Sequence, residues 1–460
     1  MRSFGRGVFA IALAVLVIAG AGAAERLGPS EPAPPMRGTA VSSVWLCPHG
    51  GGTGWKASVV LANPGPTPVD VRLTALGADG PGPSTTLTVP AGREVVQPVA
   101  SDATSDATYV EAFGGWVAAG WLLSGTDPTA LAAEPCAPAG ARTLWVVDSN
   151  TAQGQHAQLV VMNPFAVEAV FSVALFRPRL PPVRSADWTD LTLAPGSSMS
   201  LNVAAKLLGQ PVVGAEVDVS RGRVAASSLG WSADGGIRSV LATATTSAMW
   251  FLPVALGAGR STLQVFVPGS AGVQLNTQLL SAGGTPIGAG TAADTQQPGE
   301  STAGYEVIST GASSIDVASA DGAPIVAALR AAGRGGDAAA TGGATASALA
   351  WVVTPTAASR SAHPGLVLVN PGDAPVQVTL RLLAQGQGPP GPVTTVTVAA
   401  GRTAAAPAAF LAKAPGASVL VTADGDVVAL GTSTSGGKRG LTDYASAIGI
   451  AVPPEVRLSG

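Results

Sequence analysis

Short apolar runs alternate with polar turns along most of this chain, and the runs recur at a fixed interval. The clearest marker is a strand-like run around a Trp. It appears as Val44-Trp45-Leu46-Cys47, Leu144-Trp145-Val146-Val147, Met249-Trp250-Phe251-Leu252 and Ala350-Trp351-Val352-Val353, so the Trp residues lie 100, 105 and 101 apart. A copy without Trp, Ile448-Gly449-Ile450-Ala451-Val452, follows 99 residues after Trp351. Each marker leads through a polar loop to an apolar run such as Ala57-Ser58-Val59-Val60-Leu61 or Gly365-Leu366-Val367-Leu368-Val369. That run stops at Asn63-Pro64-Gly65, Asn163-Pro164, Pro268-Gly269 or Asn370-Pro371-Gly372, because Asn before Pro is held extended and Pro has no N–H to donate. Strictly alternating runs follow, Val69-Asp70-Val71-Arg72-Leu73 and Val376-Gln377-Val378-Thr379-Leu380, the pattern of half-buried antiparallel strands.

A second feature recurs late in each repeat. Alternating segments flank Gly114-Gly115, Arg221-Gly222, Asp321-Gly322 and Asp424-Gly425, and such dipeptides supply the positive φ of a tight hairpin. Each repeat thus predicts about seven short strands and no sustained helix. That is the size of an immunoglobulin-like sandwich. The expected fold is all-β, with four tandem β-sandwich modules at 41–140, 141–246, 247–346 and 347–460. The third is divergent, with Gly/Ala-rich loops. The alternative is a β-propeller-like closed array. A four-stranded blade takes roughly 40–50 residues, so each repeat would then hold two dissimilar blades. The run at 448–452 is expected to complete the fourth module, unless its spacing is chance.

Composition narrows the function classes. Charged residues are 12% of the chain and the net charge is −3, which offers no basic face for nucleic acid. Residues 1–24 carry Arg2 and Arg6 and then an apolar run from Val8 to Ala24, which fits either a signal peptide cleaved near Ala21-Gly22-Ala23 or an N-terminal membrane anchor. Residues 25–40 are a Pro-rich linker. The expected location is therefore outside the membrane, anchored or secreted, with membrane contact only through that segment. Cys47 and Cys136 bracket the first module, and an oxidising compartment favours a disulfide between them.

Reactive constellations are sparse, and no catalytic, cofactor or metal residues are assigned. His49, His156 and His363 stand alone in separate modules and read as exposed loop residues. Asp70, Glu94, Asp218, Asp316 and Asp426 alternate with strand apolars, the pattern of a solvated sheet face. The four periodic Trp residues read as core anchors, and Trp121 and Trp231 as a shared structural position. Trp55, Trp116 and Trp188 have no counterparts and are the candidates for stacking on sugar rings. A small-molecule site between modules has no signal in the sequence.

The apolar N-terminal run, Pro-rich spacer, Asn-Pro-Gly turns and Val-x-Val…Asp-Gly-x-Val-Val-Ala segments resemble a family of exported actinobacterial proteins of unknown function. The resemblance covers most of 40–455 and implies a cell-envelope location. The resulting expectation is a non-enzymatic envelope scaffold, or an arm that binds an envelope protein or cell-wall glycan. The alternative is a carbohydrate-binding accessory or a glycan-acting hydrolase.

Overall fold

The computed structural model describes residues 41–459 except 127–129, 179, 233–235, 255, 257–259, 269–270, 283–293, 297–300, 308–310, 333–337, 358–361, 387–389 and 437–441. Met36–Gly460 is a compact unit that holds every core cluster described below. The signal or anchor segment at 1–24 and the linker at 25–40 lie outside the described residues. No described helix is long and apolar enough to cross a membrane.

The first module sets the pattern with eight strands: β1 (Val41–Cys47), β2 (Lys56–Asn63), β3 (Val69–Gly77), β4 (Gly80–Val89), β5 (Arg93–Val99), β6 (Ala107–Phe113), β7 (Ala118–Ser124) and β8 (Leu131–Pro135). They form two antiparallel sheets, β1-β6-β3-β4 and β5-β2-β7-β8. The same order repeats in the other three modules. In the fourth, the β6 and β7 counterparts run on as one strand, Ser418–Gly436, that passes from one sheet into the other. The fold is all-β as expected, with two packed sheets per module. In the second module, Leu144, Phe171 and Val217 of the first sheet bury against Leu159, Val161 and Ala226 of the second.

The expected hairpins are instead arches between sheets. β6 pairs with β1 and β3, whereas β7 pairs with β2 and β8. A positive-φ glycine, such as Gly114 at 79° or Gly322 at 76°, serves a sharp crossing as readily as a hairpin. Alternation is the same in both cases, so the sequence does not distinguish them. The periodic Trp holds the arch. Trp45 Nε1–H donates to the Val117 carbonyl at 2.7 Å, Trp250 to Ile325 at 2.9 Å and Trp351 to Val427 at 2.8 Å.

Trp145 breaks this rule. It pairs with Thr243 as Leu46 pairs with Ala137 and Phe251 with Ala344. Its neighbour Leu144 therefore occupies the core position of Trp45, Trp250 and Trp351. A one-residue offset in a strand turns the side chain to the opposite face. Trp145 accordingly leaves its own module's core and packs on the cluster of the third. The pairing of Trp121 with Trp231 also fails on register. Trp121 lies opposite Val59, and Trp231 lies opposite His156, three places further along the strand.

The buried Asn of each Asn-Pro turn explains that motif. Asn63 Nδ2 donates to the Thr67 and Val89 carbonyls at 2.8 and 3.1 Å, and its Oδ1 accepts from Gly65 N–H at 2.9 Å. Asn370 repeats this with Ala374, Val398 and Gly372. One side chain thus ties the end of β2 to the start of β3 and the end of β4.

The four modules close into a ring. Each first sheet lies between its own second sheet and the second sheet of the next module. Val160 and Leu229 of module two and Val352, Leu383 and Leu420 of module four belong to the core cluster of module one. Phe176 meets Phe266 across the second junction, with ring centroids 4.7 Å apart. Thr403 Oγ1 donates to the Ala312 carbonyl at 2.7 Å across the third. The C-terminal residues seal the fourth, where Ser459 N–H donates to the Pro64 carbonyl at 2.8 Å. β8 and its counterparts Ile237–Leu241, Ala338–Gly342 and Thr442–Ile448 stand side by side around the axis. Small residues there, among them Ala132, Ala133, Ser239, Ala340 and Ser446, leave no room for a water. The closed alternative is therefore realised by open sheets, none of which closes on itself. The 448–452 run completes the fourth module, with Ile450 and Ala451 pairing back onto Val352 and Trp351.

Candidate functional site

The ring exposes one aromatic shelf. His156 and Trp231 are opposite each other on adjacent strands of module two. Their rings stack, with centroids 5.0 Å apart and planes 13° apart. Trp55, in the loop after β1, meets Trp231 edge-on at 5.7 Å across the junction between modules one and two. His156 is exposed, and both Trp rings are half-buried.

The other two sugar-stacking candidates do not join it. Trp116 sits in the arch after β6 with its ring edge on Trp45 at 5.9 Å. Trp188 is 6% exposed in the second module's core, with the Lys206 ammonium 5.9 Å above it. Trp231, read from sequence as structural, takes the place they leave. Its position at the strand end was the one available signal.

A second feature is a cavity of about 330 Å³ at one end of the axis. Its walls come from all four modules, through Glu134 and Ala137, Trp145 and Thr243, Trp250 and Ala327, and Ile448. Among the described residues that line it, Glu134 alone is ionisable. Burial pushes its carboxyl well above the usual carboxylate range, although the Thr341 hydroxyl and the Leu241 backbone favour the charged form.

Ring closure also corrects the solvated-face expectation for two acids. Asp70, Asp218 and Asp426 are exposed, but Glu94 is 1% and Asp316 6% exposed. Their sheet faces turn outward from their own modules, and a neighbouring module covers them. Ser418 N–H donates to Glu94 Oε2 at 2.6 Å across the closing junction. Burial raises the carboxyls of both Glu94 and Asp316 to about 7. At the junction of modules two and three, Arg330 donates to Asp148 Oδ1, and Gln264 Nε2 donates to the same oxygen at 2.9 Å. Arg330 and Arg238 hold Asp148 below its usual range despite full burial. These acids belong to separate junctions and do not form a carboxylate pair.

His49 also departs from expectation. It is fully buried, with Nδ1 2.6 Å from the Gly50 carbonyl and Nε2 3.0 Å from Thr108 Oγ1. Burial holds its pKa below the ordinary value. His156 and His363 are exposed as expected, but they lie on the strands Gln155–Asn163 and His363–Asn370 and not in loops. Among the described residues no group of three His, Cys, Asp or Glu is placed to hold a metal. Cys47 and Cys136 are joined in a disulfide.

No curated protein matches this chain. Among solved structures, it aligns with a tetra-tandem repeat from the extending region of a large adhesion protein. The identity is 13%, over 89% of this chain and 99% of that one, and the TM-score of 0.10 carries no structural argument. Residues 38–120 and 100–352 match a family of unknown function, DUF5719, and the chain belongs to that family.

Proposed function

We propose that this protein is a non-enzymatic, exported cell-envelope protein whose ring is a rigid platform for envelope glycan. The observation that carries the reading is the Trp55–Trp231–His156 shelf, which straddles a sealed junction. A sugar ring presents an apolar C–H face and hydroxyls, and Trp offers a flat apolar face beside an N–H donor. A ring already fixed in place loses little conformational freedom when a polymer docks on it. The Cys47–Cys136 disulfide supports an oxidising compartment, and the apolar run at 8–24 supports export to it.

The test is retention of Met36–Gly460 on purified cell-wall polysaccharide, compared with the Trp55→Ala/Trp231→Ala double variant. Loss of retention by the variant with its thermal unfolding unchanged supports the shelf. Equal retention of the two proteins rejects it.

A further inference from the structure

β2 and its counterparts Gln155–Asn163, Arg260–Phe266 and His363–Asn370 carry a basic residue at one matched position: Lys56, His156, Arg260 and His363. Register sets the match. Their partners on the next strand inward, Ser124, Trp231, Ala332 and Thr434, pair in turn with the axial strands near their starts. Those starts meet around the axis, and the cavity is walled by the opposite ends of the same strands. The four residues therefore lie at one level, at the end of the ring away from the cavity. All four are exposed. Lys and Arg number 25 and His 3 among 460 residues, so a column of four is not what composition alone supplies. The next position on that strand face holds Ser58, Gln158, Thr262 and Gly365, none of them charged.

Alternation turns each of the four toward the preceding module around the ring. Further along the same strand faces, Val60 shares a cluster with Ala357 of module four, Val160 joins the cluster of module one, and Gln264 bonds Asp148 of module two. Gly365 lies against Leu256 of module three. One basic residue thus stands over each junction. Paired strands are about 4.8 Å apart, so each residue is roughly 10 Å out from its axial strand and opposite members are roughly 20–30 Å apart. No single small anion touches opposite members, whereas a chain with anions at intervals does. The column also runs through the aromatic shelf, since His156 stacks on Trp231 and Trp55 directly precedes Lys56.

We propose that this end of the ring binds an acidic polysaccharide, a sugar chain with repeated carboxylate or phosphate groups. The inference rests on the glycan reading of the shelf and names the class of glycan it takes. Sugar faces stack at Trp55 and Trp231, while Lys56 and Arg260 pair with the anions, Arg260 as a two-pronged donor. His156 and His363 offer an N–H to an anion oxygen in either protonation state. In the sequence, the stretches that lead into the axial strands carry Asp127, Asp234 and Asp337 against Arg334, Lys438 and Arg439, which balance in sign.

Four immobilised polymers separate the cases: polygalacturonate, a phosphorylated mannan, neutral dextran and polyglutamate, each bound by Met36–Gly460 at pH 7. The expected result is saturable binding of one or both acidic glycans, about tenfold tighter than dextran or polyglutamate; the tighter of the two names the anion. Raising salt from about 50 to about 200 mM should weaken that binding, because each ion pair releases counterions. Lys56→Gln/Arg260→Gln, with thermal unfolding unchanged, should weaken it about three- to tenfold, as for two exposed ion pairs. Dextran bound as tightly as the acidic glycans overturns the proposal and leaves the shelf standing. Polyglutamate bound as tightly overturns it in favour of an acidic protein segment. Failure of every polymer to bind, or native affinity in the Lys56→Gln/Arg260→Gln chain, also overturns it. Binding lost in that chain but kept in Trp55→Ala/Trp231→Ala supports the basic column and removes the shelf. The polymer comparison uses the native chain and stands even if a variant fails to fold.

Discussion

Glu94→Gln isolates the electrostatics of ring closure. Glu94 lies on β5 and faces the first sheet of module four, where its carboxylate accepts from Ser418 N–H at 2.6 Å and lies near Gln385 Nε2 at 3.5 Å. No cation offsets its burial among the causes that set its pKa, and desolvation carries it from 4.5 to about 7. The acid is therefore harder to ionise in the folded chain than in the unfolded one. As pH rises past 4.5, the unfolded chain releases this proton first and folding loses stability. The loss is complete once pH exceeds about 7. One pH unit of displacement corresponds to about 1.4 kcal/mol, so the full effect is about 3 kcal/mol. Gln keeps the acceptor for Ser418 and carries no charge. Urea unfolding of native and Glu94→Gln chains, followed by Trp fluorescence from pH 4.5 to 8, measures the difference. The variant should be about 3 kcal/mol more stable at pH 8, and the gap should close toward pH 4.5. Asp316 and Glu134 also have raised pKa values, so the difference between the two chains is the diagnostic quantity, not either curve alone. A gap that does not change with pH, or a less stable variant at pH 8, refutes the assignment.

Three further outcomes follow from the packing. Asn370→Ala removes the Nδ2 donation shared among the Ala374, Val398 and Ala399 carbonyls and one accepted bond at a fully buried site, and should cost about 3 kcal/mol in urea unfolding. Trp45→Phe leaves the Val117 carbonyl unmet and should cost about 1–3 kcal/mol, whereas Trp145→Phe should cost less, because its N–H has no protein partner; thermal unfolding of the pair reads the contrast. Reducing the Cys47–Cys136 bond frees a loop with a sequence separation of 89 and should lower stability by about 4 kcal/mol, measured with and without reductant.

The sequence was most informative where the chemistry is local. The Asn-Pro turns, the glycine crossings and the alternating strands all depend on residues a few places apart, and they marked out repeats whose strand order recurs four times in the structure. The disulfide was legible because two cysteines leave one pairing. The shelf was only partly legible: Trp55 stood out as unmatched, but Trp231 was hidden by an apparent match to Trp121, three register places away. Glu94, Glu134 and Asp316 were illegible as buried groups, since the module covering each lies far away in the chain.

By itself the sequence determined an all-β chain of four repeats with their turns and core-facing strands, because turn residues and period-two alternation act within one strand and its neighbours. Tertiary structure decided the rest. It made arches of the apparent hairpins, turned Trp145 out of its own core, and buried outward acids by closing the ring. The physical reason is that a strand's alternation states which residues share a face but not what covers that face. In a closed ring, the cover is supplied by the next module around.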